Sequence, residues 1–141
     1  MNGQLLEEIN TTMFTSSKQG KELVTELTRK SGFSSENIIS RLAISRSLQE
    51  DTDFKHEYAS DPRGKQIRGK TLLGKKETAL VLLALLIISS GENLENEDIK
   101  QKIRLHWERG LRLLNQDSKD KEMKTLFLEY AKEAALNSDL V

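Results

Sequence analysis

The chain has 141 residues, with 22 Lys+Arg against 22 Asp+Glu and a formal net charge of zero. That length suits one domain with a real hydrophobic core, and the balanced charge names no polyanionic partner, so any such argument must rest on local clustering. There is no cysteine, which excludes disulfides and thiolate chemistry.

The segment from Met1 to Glu8 carries neither a basic n-region nor an apolar h-region, so no signal peptide is expected and the cytoplasm is the expected compartment. A single proline, few aromatics and long Leu/Lys/Glu-rich stretches predict an all-α or mostly α fold, a bundle of about five helices. Residues 11–15 and 66–72 are where short strands could form. Asn10 to Thr15 is short and rich in β-formers. Ser16 or Ser17 then suits the N-cap of a helix running to Ser31, with Leu23, Val24 and Leu27 as its apolar stripe and Gly32 ending it in a left-handed turn. Ser34 or Ser35 caps a second helix to Leu48, with Ile38, Ile39, Leu42, Ala43 and Leu48 facing inward.

From Glu50 to Gly74 the periodicity breaks into a long loop, of a length that is often functional. Ala79 to Ile88 follows, apolar on every side. A helix without a polar face must be surrounded, and this one is far short of the roughly 20 residues that cross a bilayer. It is therefore expected to be the central core helix, with no membrane role. After an acidic linker from Glu92 to Asp98, a helix from Glu97 to Asn115 places Ile99, Ile103, His106, Trp107, Gly110, Leu113 and Leu114 on one face. Residues 118–137 predict a last helix, amphipathic through Met123, Leu126, Phe127, Tyr130, Ala131 and Ala134.

The most informative stretch lies before the apolar helix. Between Pro62 and Lys76 there are six basic residues and no acidic one: Arg63, Lys65, Arg68, Lys70, Lys75 and Lys76. Gly64, Gly69 and Gly74 are interleaved, as if to let backbone amides approach a ligand. Lys75 and Lys76 stand at a helix start, where the macrodipole disfavours cations. The combination points to a phosphate-rich surface such as DNA, against the plainer alternative of a solvated loop. Arg41 and Arg46 on the second helix form a further basic pair. Arg41 borders the apolar stripe, so an internal ion pair and a DNA contact both stay open for it. His106 reads as a core histidine. Gly110 on an apolar face implies the close approach of another backbone, from this chain or a second copy. The two histidines, His56 and His106, lack metal-ligand spacing, and no nucleophile, phosphate-loop or paired-carboxylate motif appears. No metal, cofactor or enzymatic activity is expected.

Three segments, taken together, resemble the DndE family of bacterial DNA phosphorothioation systems. They are Gly32-Phe33 through Asn37-Ile38-Ile39-Ser40-Arg41-Leu42-Ala43 to Ser47-Leu48, then Thr71-Leu72-Leu73-Gly74, then Arg104-x-His106-x-x-Arg109-Gly110. The resemblance spans most of residues 16 to 115 and leaves the C-terminal helix outside it. It implies a mostly helical homotetramer that binds double-stranded DNA, nicked duplex in particular, beside the other Dnd proteins that replace a phosphate oxygen by sulphur. The family's DNA contacts are attributed to surface lysines and arginines, carried here only onto the basic residues above. Two other functions compete. One is a ribbon-helix-helix repressor, with Thr11, Met13 and Thr15 on a base-reading strand. The other is a DNA-free adaptor whose basic loop docks an acidic protein of the modification complex.

Overall fold

The computed structural model describes residues 3–50, 54, 63–90, 95–119, 121–126 and 128–129. Its first element is a helix that periodicity did not predict, α1 (Gly3–Thr11), which ends one residue before a short strand, β1 (Met13–Thr15). Thr11 and Thr12 turn their hydroxyls back onto the carbonyls of Glu7 and Glu8, so two of the residues expected in the strand close the helix instead. Helix α2 (Lys18–Ser31) begins and ends as its sequence predicts. Ser17 accepts a hydrogen bond from the Gly20 amide, and Gly32 adopts φ 76° with its own amide on Thr28. Ser35 caps α3 (Glu36–Ser47) in the same way.

The stretch expected as a loop is ordered where it is described. It holds a strand, β2 (Gln66–Arg68), and one turn of helix, α4 (Gly69–Leu73), and is followed by α5 (Lys76–Ser90). The expected extended piece at 66–72 is thus half strand and half helix. β1 and β2 pair antiparallel, Met13 with Arg68, Phe14 with Ile67 and Thr15 with Gln66. Phe14 and Ile67 point into the core. Much of the expected loop between Glu50 and Pro62, most of the acidic linker, and most of the C-terminal helix with Phe127, Tyr130, Ala131 and Ala134 lie outside the described residues. Within that last segment, residues 123–126 are helical and Met123 and Leu126 are buried.

The mostly α class holds, but the helix at the centre is another one. α6 (Asn96–Asp117) starts from a capping box between Glu95 and Asp98 and packs against α3, the most extensive contact in the fold. It is buried on all sides from His106 to Leu111. α5, apolar all round, lies at the periphery. Ala79, Leu82, Leu83 and Leu86 face the core, while Val81 is 58%, Leu85 48% and Ile88 75% exposed. Hydropathy misplaced the centre for a physical reason. α6 carries charges that are paired inside the protein, so its sequence reads as amphipathic, whereas α5 keeps an apolar stripe at i, i+4, i+7 in the open.

Gly110 shows how closely α3 and α6 approach. A Cβ built there would stand 1.7 Å from the Ala43 carbonyl oxygen. The second backbone that Gly110 implied therefore belongs to α3 of the same chain.

Candidate nucleic-acid interface

The six cations between Arg63 and Lys76 do not share one role. Lys65 forms an ion pair with Glu36 at the start of α3, 2.8 Å apart. Hydrogen bonding to Lys65 is the main cause that holds the Glu36 carboxyl below its ordinary range. Arg63 is exposed beside Lys18 and Lys21 of α2, in a groove that Glu22 and Glu26 also line. Arg68, Lys70, Lys75 and Lys76 are exposed and make no ion pair among the described residues. Lys70 does share a shallow groove with Glu7 and Glu8 of α1, and Glu8 is held by Lys100 at 2.9 Å. The unpaired cations therefore run from the end of β2, over the single turn of α4, to the first residue of α5.

The glycines between them serve the fold rather than a ligand. A Cβ at Gly64 would lie 2.0 Å from the Ser17 carbonyl oxygen, and one at Gly69 1.9 Å from that of Ile9. Their amides are also committed, Gly64 to Ser16 at 2.9 Å and Gly69 to Thr12 at 2.8 Å. Gly74 differs, because its φ of 88° needs glycine. It turns the chain between α4 and α5, and its amide closes α4 on the Lys70 carbonyl at 3.2 Å.

Arg41 braces this turn. Its guanidinium donates to the carbonyls of Thr71 at 2.9 Å and Leu72 at 3.3 Å, the negative end of α4. It is half-buried and lies against Gly74. Neither role left open by the sequence describes this geometry, in which Arg41 ties α3 to the cationic turn through carbonyls. Arg46 is held by Asp117 at 2.9 Å and Glu50 at 2.8 Å. Burial works against its charge, yet hydrogen bonds to the two carboxylates outweigh that and raise its pKa further. It joins α3 to the end of α6 and, unlike the Arg68–Lys76 series, is committed to carboxylates.

The Arg104-x-His106-x-x-Arg109-Gly110 segment is a clamp inside the fold. Arg104 Nε donates to the Thr15 carbonyl at 2.8 Å and so covers the outer edge of β1. His106 Nδ1 lies 2.9 Å from Ser47 Oγ, and Arg109 donates to the same oxygen at 2.8 Å and to the Ser47 carbonyl at 2.8 Å. The Ser47 hydroxyl, with one proton and two lone pairs, thus accepts from Arg109 and also hydrogen-bonds His106 Nδ1. Burial first, then the charges of Arg109 and Lys102, lower the His106 pKa to about 4. Ser47 and His106 are buried, so this is a core network, as the sequence predicts for His106.

Glu108 is the residue that sequence reasoning missed. It is fully buried. It accepts from the Ser17 amide at 2.8 Å and the Ser17 hydroxyl at 2.7 Å, and pairs with Arg112 at 3.0 Å. A carboxylate thus sits at the N-terminus of α2, where the helix dipole favours it. The strand that the ribbon-helix-helix reading would use has β2 of the same chain on one edge and Arg104 at the other, and Thr11 belongs to α1 rather than to it.

Comparisons with known proteins agree with this architecture. The model of the family described as DNA sulphur modification protein DndE matches residues 14–122. A crystal structure of DndE from Escherichia coli B7A, involved in DNA phosphorothioation modification, superposes with a TM-score of 0.60 at 24% identity, covering 75% of this chain and 97% of that one. At that identity the likeness concerns the fold. No curated protein matches the chain significantly.

Proposed function

Because this chain belongs to the DndE family of DNA sulphur modification proteins, we propose that it is a non-catalytic accessory protein that holds duplex DNA, nicked duplex included, by the phosphate backbone. It would do so in the cytoplasm as a homotetramer beside the other Dnd modification proteins. One observation carries the DNA reading: Arg68, Lys70, Lys75 and Lys76 are exposed cations without an ion-pair partner among the described residues. Cations that a fold leaves unpaired over so short a stretch are suited to a polyphosphate surface, where a cation that meets a phosphate neutralises it and releases a counterion. The Arg41 brace fixes the turn that carries Lys75. The apolar stripe of α5 supports assembly, since exposed patches of that kind are usual at subunit interfaces.

The test is a salt titration of binding to intact and nicked duplex of one sequence. Replacing Lys70, Lys75 and Lys76 by alanine should flatten the log–log slope by up to about 2.7 per protomer bound, about 0.9 for each phosphate left without its lysine. Folding stability should barely change, because exposed charges contribute little to it. Unchanged slope and affinity in the triple variant would refute the assignment of these residues. Failure of the unmodified protein to retain any duplex at low salt would favour the adaptor.

A further inference from the structure

The β1–β2 pair has a second face. Phe14 and Ile67 turn inward, so the register places Met13 beside Arg68 and Thr15 beside Gln66 on the opposite, outward side. The ladder bonds that bracket these pairs, Gly69 amide to Thr12 carbonyl and Ser16 amide to Lys65 carbonyl, are both 2.8 Å. Pairs lying between such bonded positions bring their side chains closest together. Met13 is 47% exposed, so an apolar side chain stands on the outward face. Gln66 and Arg68 are exposed as well, and neither is engaged by a side-chain hydrogen bond or ion pair among the described residues. None of the four outward residues is acidic.

Three of the four outward residues each match one kind of base edge. Arginine donates as a fork to O6 and N7 of guanine, glutamine pairs with N6 and N7 of adenine, and an apolar side chain meets the thymine methyl. A two-stranded antiparallel ribbon is one of the shapes that the major groove admits, about 12 Å wide. Lys70 follows the ribbon by two residues, and Lys75 and Lys76 come soon after; these exposed cations are the candidates for the groove's phosphate walls. On the outer edge of β1, Arg104 takes up the Thr15 carbonyl.

We propose that this outward face, Met13, Thr15, Gln66 and Arg68, enters the major groove of duplex DNA and reads base edges, giving the protein a sequence preference. The proposal rests on the DNA-binding function proposed above. It adds a division of labour: phosphate contacts position the protein and the ribbon specifies the site.

The experiment is selection from a duplex library with a randomised centre, followed by titration of the enriched site against a scrambled one. The unmodified protein should enrich a short motif. Arg68→Lys keeps the charge but not the fork, and Gln66→Ala removes the amide; both positions are exposed, so thermal midpoints should be unaltered and serve as the folding control. Each substitution should lower the ratio of affinities for enriched and scrambled sites by about ten-fold, the scale of one bidentate base contact. The salt slope of Arg68→Lys should be retained. Binding without any enriched motif would overturn the ribbon proposal and leave the phosphate reading intact. A motif that both variants enrich unchanged would equally overturn it. Absence of duplex binding in the unmodified protein would remove both together.

Discussion

Gly110→Ala separates two forces that predict opposite signs. In a helix interior, alanine is better than glycine by about 1 kcal/mol, so propensity alone would raise the melting midpoint. Packing opposes it. The new Cβ would lie 1.7, 2.2 and 2.8 Å from the oxygen, carbonyl carbon and Cα of Ala43. Non-bonded atoms settle at about 3.5 Å, so α3 and α6 would have to separate by about 1.5 Å or more. All three atoms are backbone and cannot rotate away. Overpacking costs about 1–3 kcal/mol, occasionally more, and a rigid obstacle at the largest helix interface puts this site at the upper end. Subtracting the propensity gain leaves a net destabilisation of about 2 kcal/mol. For a chain of this length that lowers the midpoint by about 6–8 °C. Scanning calorimetry of the two proteins decides the matter. An unchanged or raised midpoint for Gly110→Ala would mean that the two helices are not seated as described.

Two further expectations are independent of that packing. His106 is neutral in the fold with a pKa near 4, whereas the unfolded residue takes up a proton below about 6.5; stability should therefore be full above pH 6.5 and decline as the pH falls towards 4, by about 3 kcal/mol in all. Urea titrations between pH 7 and 5 should show the decline in the unmodified protein and not in His106→Gln, and parallel profiles would refute the assignment. On α5, Leu85→Lys with Ile88→Lys should convert an assembled protein to monomers in light scattering, with the helical circular-dichroism signal retained. A monomeric mass for the unmodified protein at micromolar concentration would remove the assembly reading of that stripe.

The helix ends were legible because their signals are local. Ser17, Gly32 and Ser35 act within a few residues of themselves, and a cap needs no tertiary context to be recognised. The basic run was legible as composition, yet its division into paired and unpaired cations was not. Lys65 meets Glu36, and Arg46 meets Asp117 at a distance of 71 residues, so only the fold reveals which charges remain. The glycines misled for the same reason: Gly64 and Gly69 make room for Ser17 and Ile9, distant parts of the chain. Glu108 was hidden because a charged residue in a helix ordinarily faces water, and its acceptance of the Ser17 amide and hydroxyl depends on how α2 meets α6. α1 escaped notice because its apolar content is slight, Leu5 and Ile9 being the residues it buries.

The ribbon also has a place in time. Phe14 and Ile67 pair across 53 positions of sequence (67 − 14), with α2 and α3 inside the loop they close. Bringing the ends of such a loop together costs about 3.5 kcal/mol by chain statistics, before any fixed term. A ladder of three residues a side cannot recover that by itself, so nucleation belongs to the helices. Closure cost alone predicts that the strands meet after α6 has docked on α3, with Arg104 holding β1 from outside in the finished fold. On that expectation the outward face of the ribbon forms late, after chains that already carry every cation have begun to fold. A nascent or damaged chain could adhere to a polyanion through charge, but it would hold no shaped surface until the loop is shut. Anything that grips both strands at once would, by mass action, keep that loop closed.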